Sequence, residues 1–69
     1  MSRYYVHTLT DDDGDHEVHK STCSRLPKPG NMADLGVHSN CASAVTEAER
    51  RGFKPADGCA HCSETCHTS

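Results

Sequence analysis

The chain has no Trp, one Phe and two Tyr among its 69 residues, and only 33% of it is hydrophobic. So short and lean a chain buries too little apolar surface for a generous core, and such chains rely on disulfides, a metal or a partner. Long apolar runs are missing as well. No stretch approaches the roughly 20 residues that a membrane-spanning helix needs. Nor is there the positive start, apolar middle and small-residue cleavage site of a secretory leader. Positive charge is scarce: seven Lys and Arg against ten Asp and Glu leave a net charge of −3 with His neutral. That balance argues against an undirected grip on nucleic acid or an anionic membrane. Finally, the cysteine count is odd, so the cysteines cannot all pair within one chain.

What the chain does have is five Cys and six His. With no leader, a reducing, cytoplasmic setting is expected, and there clustered cysteines bind metal more often than they pair. Three of the five cysteines fall in Cys59-Ala60-His61-Cys62-Ser63-Glu64-Thr65-Cys66. The Cys59–Cys62 spacing brings both thiolates to one tetrahedral ion through a tight turn, which Gly58 assists. Such a knuckle supplies half a ligand set. The other half is expected from upstream.

Read in order, Arg3-Tyr4-Tyr5-Val6-His7-Thr8-Leu9 is aromatic and β-branched and predicts a strand, with Tyr4, Val6 and Thr8 on one side. The acidic stretch Asp11-Asp12-Asp13-Gly14-Asp15 reads as a turn, and His16-Glu17-Val18-His19 as the return strand of a hairpin. Counted as a calcium loop the acidic run fails, because Thr22 or Ser24 stands where the twelfth-position glutamate belongs. It is a solvated hairpin tip. Ser21-Thr22-Cys23-Ser24-Arg25-Leu26 could make one helical turn before Pro27 and Pro29, with Leu26 as its anchor in the core. Asp34-Leu35-Gly36-Val37-His38 is a short third strand beside the hairpin.

The firmest element is a helix over residues 41–51. Ser39 and Asn40 are good N-caps, and Cys41, Ala44, Val45 and Ala48 make one narrow apolar stripe. Glu47 and Arg51 stand four apart in the favourable order. Gly52 offers the left-handed position after the helix, Phe53 folds back on the last turn, and Pro55 stops it. Phe53 is then the largest apolar plug. The fold class expected is α+β: a single small zinc-stapled domain over residues 1–69, with a hairpin and third strand packed on one helix and a C-terminal Cys-x-x-Cys knuckle.

Structural zinc takes four ligands, thiolates with some imidazole. The expected set is His19, Cys23, Cys59 and Cys62, the first pair converging as the return strand runs into a turn. Cys41, Cys66 and His67 are candidates to replace a member of it. Cys41 also fits the apolar stripe as a small buried hydrophobe. A Cys41–Cys66 disulfide that leaves Cys23, Cys59 and Cys62 for metal stays open beside these. His7, His16, His38 and His61 read as surface or packing residues. Covalent haem attachment fails because Ser63 follows Cys62, iron–sulfur spacing is absent, and a thioredoxin-like pair lacks its βαβ setting. No catalytic constellation stands out, and a non-enzymatic protein is expected.

His16-Glu17-Val18-His19-Lys20-Ser21-Thr22-Cys23, a helix ending Arg51-Gly52-Phe53-Lys54-Pro55, and Cys59-Ala60-His61-Cys62 together resemble the small zinc domain of the bacterial Ada DNA-repair protein. They are more similar still to shortened Ada-like modules with the pattern Y-H-x-x-x-C … G-Y-x-P-C-x-x-C. The resemblance spans residues 17–62 and implies an α+β fold with zinc between Cys23 and the Cys59–Cys62 knuckle. In Ada the first thiolate of a Cys-x-x-x-Cys pair accepts a methyl group from a DNA phosphotriester. Here His19 takes that place, and imidazole is not that nucleophile, so methyl transfer is not implied. The step before the knuckle is lengthened to Pro55-Ala56-Asp57-Gly58, and the Cys66-His67-Thr68-Ser69 tail lies outside the pattern.

The expected function is that of a zinc-binding module whose metal serves folding, with a protein or nucleic-acid partner and no membrane. One alternative is a nucleic-acid module using the Arg50, Arg51 and Lys54 face, with Lys20, Arg25 and Lys28 along the hairpin. The other is a disulfide-stapled or redox-sensing protein using Cys41 and Cys66.

Overall fold

A computed structural model describes residues 1–67. Strand β1 (Ser2–His7) turns through the acidic tip into β2 (His16–Lys20), as the hairpin pattern predicts. The chain then passes β1 to form β3 (Met32–His38) on its far side, continues into helix α1 (Cys41–Arg50), and returns as a three-residue strand β4 (Ala56–Gly58). The sheet order is β3-β1-β2-β4, antiparallel between β1 and each of β2 and β3, and parallel between β2 and β4. Short 3-10 turns cover Pro29–Asn31 and Glu64–Cys66. The expected α+β class is what the chain adopts.

Alternation builds the core. Tyr4, Val6 and Val18 point to one face of the sheet, joined by Leu35, and Cys41, Ala44 and Ala48 of α1 close over them. Ala44 and Ala48 are fully buried, and their small side chains let the helix lie close to the strands. On β3 the register shifts between Tyr4 and Tyr5, whose partners are Gly36 (φ +84°) and Asp34. This bulge places the intervening Leu35 in the core and leaves Val37 50% exposed on the other side.

Helix α1 ends as the sequence predicts. Asn40 Oδ1 accepts the Ser43 N–H at its start. At its end, Gly52 (φ +98°) donates to Glu49 O at 3.0 Å and Phe53 donates to Ala48 O at 3.0 Å, the paired bonds of a Schellman cap. Only glycine takes that φ without strain.

Four details differ from expectation. β1 stops at His7, and Leu9 is 57% exposed, because the chain must leave the sheet to form the acidic tip. Residues 21–26 make two turns rather than a helical one, and Leu26 is only half-buried, outside the core cluster. Phe53 packs at the rim against the edge of His16, with ring centroids 5.6 Å apart, while Tyr4 is the large buried ring. β4 was not expected at all. Ala-Asp-Gly carries no β-branched signal, and its pairing with β2 is a tertiary effect. The Lys54–Pro55 peptide before it is cis.

Candidate metal centre

The strand that sequence reasoning missed is the one that assembles the site. β4 lies alongside β2 with Val18 opposite Gly58, and the Cys59 N–H donates to Val18 O at 2.9 Å. That bond sets Cys59 next to His19. His19, one residue past Val18, projects from the opposite face to the core. The β2 chain end then turns, with the Cys23 N–H on Lys20 O at 3.0 Å, and carries Cys23 back over His19. Cys62 arrives by the knuckle turn.

The ligand atoms of His19, Cys23, Cys59 and Cys62 all lie within 4.8 Å of one another. Cys23 Sγ is 3.5 Å from His19 Nδ1 and 3.9 Å from Cys59 Sγ. A tetrahedral ion with sulfur at ~2.3 Å and nitrogen at ~2.0 Å has edges of about 3.5 Å (S to N) and about 3.8 Å (S to S). The cluster could therefore hold a metal ion. His19 and Cys59 are 1% exposed, Cys23 is buried, and Cys62 is half-buried.

Each sulfur also meets a main-chain donor. Cys23 Sγ accepts the Arg25 N–H at 3.4 Å, Cys59 Sγ the His61 N–H at 3.4 Å, and Cys62 Sγ the Lys20 N–H at 3.3 Å. Donors aimed at sulfur favour the thiolate over the thiol. Burial works the other way. It pushes the Cys23 thiol up to about 12, and the bond to Cys62 adds to that. Burial also raises Cys62, but the bonds from Cys23, the Lys20 N–H and Ser63 outweigh it, and its net shift is downward. Burial holds the His19 imidazole down at about 4, with repulsion from His7 adding to it. Ionisation is thus favoured at Cys62, opposed at Cys23, and His19 stays neutral. A divalent cation reverses the opposition, since it replaces thiol protons.

The replacement candidates are excluded by what they bond. Cys41 and Cys66 form a disulfide, with Cα atoms 6.2 Å apart, so neither has a thiolate to offer. Cys41 reaches it from its buried place on the helix stripe. His67 Nδ1 donates to Gly58 O at 3.0 Å and lies 3.3 Å from Asp57 Oδ2, outside the cluster. One pair of cysteines is thus bonded, and three thiols remain beside His19. Their partition was open in sequence terms because Cys66, four residues after Cys62, could reach the ion if the tail made a helical turn.

Gly58 has a role beyond the turn. A Cβ there would lie 2.5 Å from Ser63 O, 2.6 Å from Cys66 Cβ and 2.8 Å from Cys66 C, so the tail packs directly on its bare Cα. Of the remaining histidines, His16 Nδ1 is 3.0 Å from His7 O, and His38 bridges Leu35 O and Ser43 Oγ. His61 is exposed. Asp11, Asp13 and Asp15 also cluster, but Asp11 Oδ1 accepts the Asp13 and Asp15 N–H groups at 2.9 Å each, as a capped turn does.

The basic face is paired only in part. Glu47 binds both Arg50 and Arg51 at 2.6 Å, and Arg51 also donates to Asp34 O at 2.7 Å. Among the described residues, no helix is long and apolar enough to cross a membrane. Compared with known proteins, the chain matches no family model, no curated relative and no solved structure.

Proposed function

We propose that this protein is a non-enzymatic zinc-binding module in which His19, Cys23, Cys59 and Cys62 hold one zinc ion and the ion serves folding. The observation that carries this reading is the S₃N cluster, compact within 4.8 Å and with its Cys23–His19 and Cys23–Cys59 edges at tetrahedral length, and with a main-chain N–H on every sulfur. Soft thiolates favour zinc over magnesium or calcium. Four protein ligands fill a tetrahedral shell and leave no open position for a substrate, the mark of a structural rather than a catalytic site.

The energetics agree. Zinc binding contributes about 10–16 kcal/mol in zinc-finger peptides at neutral pH, a large term beside a core of four sheet residues and three from the helix. The ion would join the turn after β2 to the knuckle across 36 residues of chain. The Ada-like pattern supports the same ligand placement, with His19 in place of the methyl-accepting cysteine, so the module is read as a scaffold for a partner and not as a repair enzyme.

Thorough chelation tests this. The protein is expected to lose its near-ultraviolet and methyl NMR tertiary signals when zinc is removed and to regain them on adding one equivalent. Full tertiary signals in metal-free protein would contradict the reading.

A further inference from the structure

The disulfide and the metal cluster share one short segment. Cys66 and Ser63 pack on Gly58, the residue before Cys59. The Ser63 N–H donates to Cys59 O at 2.8 Å, and the Cys66 N–H donates to Ser63 O at 2.9 Å. This tail therefore backs the Cys59–Cys62 turn, and Cys62 Sγ itself lies 3.7 Å from Ser63 Oγ. The tail is fastened to the rest of the molecule by the Cys41–Cys66 bond. Cys41 is the first residue of α1, and α1 is fixed to the sheet through Ala44 and Ala48.

One end of the bond borders a recess: Cys41 is 6% exposed and Cys66 is half-buried. Cys41 and Cys62 line the same recess of about 430 Å³, together with Lys20, His61 and Thr65. Thr65 Oγ1 is 3.3 Å from Cys41 Sγ, and because a disulfide sulfur carries no proton the hydroxyl is the donor. It would remain to solvate a Cys41 thiolate, which the first turn of a helix also favours.

We propose that the Cys41–Cys66 pair controls how firmly the metal is held: oxidised, it clamps the tail behind the knuckle; reduced, it frees the tail and the metal leaves faster. This rests on the zinc reading above and adds its regulation by a dithiol reductant. The step is thiol–disulfide exchange. The Cys41–Cys66 bond breaks, the pair takes up two electrons and two protons to become two thiols, and the dithiol leaves as its own disulfide.

The test uses the full chain loaded with one zinc. Transfer of zinc to a chromophoric chelator is timed before and after reduction with a phosphine, with mass spectrometry confirming a gain of two hydrogens. Changes to groups behind a ligand typically alter metal affinity 10–100-fold, so release about tenfold faster in the reduced form is expected. The double variant Cys41→Ser with Cys66→Ser should match the reduced protein and ignore the phosphine. If that variant does not fold, the reduced natural chain alone decides. Equal release rates in both redox states would overturn the proposal, as would a double variant that still responds to the phosphine. Oxidised protein that binds no zinc at all would instead overturn the metal reading itself.

Discussion

Glu17 and His19 stand two apart on β2, and His19 Nε2 lies 3.4 Å from Glu17 Oε1 while Nδ1, across the ring, faces Cys23 Sγ at 3.5 Å. The Glu17 contact is within ion-pair distance but misaligned, and His19 Nε2 is buried without a hydrogen-bond partner. Metal on Nδ1 would fix the ring proton on Nε2, where the carboxylate is the nearest acceptor. Glu17→Gln is accordingly expected to weaken zinc binding by about 10–100-fold, the usual effect of losing a carboxylate behind a histidine ligand. Competition against a chelator of known affinity measures it. An unchanged affinity would make Glu17 a bystander.

Gly58 offers a sharper steric test. In Gly58→Ala the methyl group meets Ser63 O at 2.5 Å and the Cys66 main chain at 2.8 Å, neither of which is a flexible tip. Overpacking of this kind costs about 1–3 kcal/mol, and occasionally more. Gly30→Ala is the control, with nothing within 4 Å of its new carbon. Denaturant unfolding of the two metal-loaded variants should separate them clearly. Equal midpoints would mean that the tail does not pack on Gly58.

The end of β1 is tested by a pair of leucines. Leu35 is 3% exposed and Leu9 is 57% exposed. Leu35→Ala should destabilise by about 2–5 kcal/mol. Leu9→Ala should stay within about 0.5 kcal/mol of the natural chain. A large effect at Leu9 would restore the longer strand that the sequence pattern predicts.

Glu47 gives the pH dependence. Its bonds to Arg50 and then Arg51 hold the carboxyl down at about 2, against an ordinary 4.5. Because the folded value is the lower one, the unfolded chain binds more protons between the two, and the contribution of Glu47 fades as pH falls. The pair therefore helps fully above 4.5 and progressively less toward 2. Glu47→Gln should lower the melting temperature at neutral pH, by an amount that shrinks as pH falls below 4.5. A gap independent of pH would show that the carboxylate charge is not what matters.

The contrast between what could be read and what could not has a physical origin. α1 was legible to the residue at its start because Asn40, the small-residue stripe, Gly52 and Phe53 are local signals that agree. The hairpin was legible from alternation across Tyr4, Val6 and Val18. β4 was not, because Ala56, Asp57 and Gly58 have no strand preference of their own and pair only when β2 is already in place. Of the cluster, Cys59 and Cys62 follow from spacing, and His19 with Cys23 from their position at a strand end. The split of the five cysteines into a bonded pair and three free thiols depends on Cys66 folding back over Gly58 toward α1. That approach is set by tertiary packing, and no spacing along the chain encodes it.

Native mass spectrometry of the chain purified without added chelator bears most directly on the account. It should find one zinc ion per molecule, a covalent mass two hydrogens below the fully reduced chain, and a peptide map that assigns the lost hydrogens to Cys41 and Cys66. A molecule without metal, or one whose sulfur–sulfur bonds involve Cys23, Cys59 or Cys62, would contradict it.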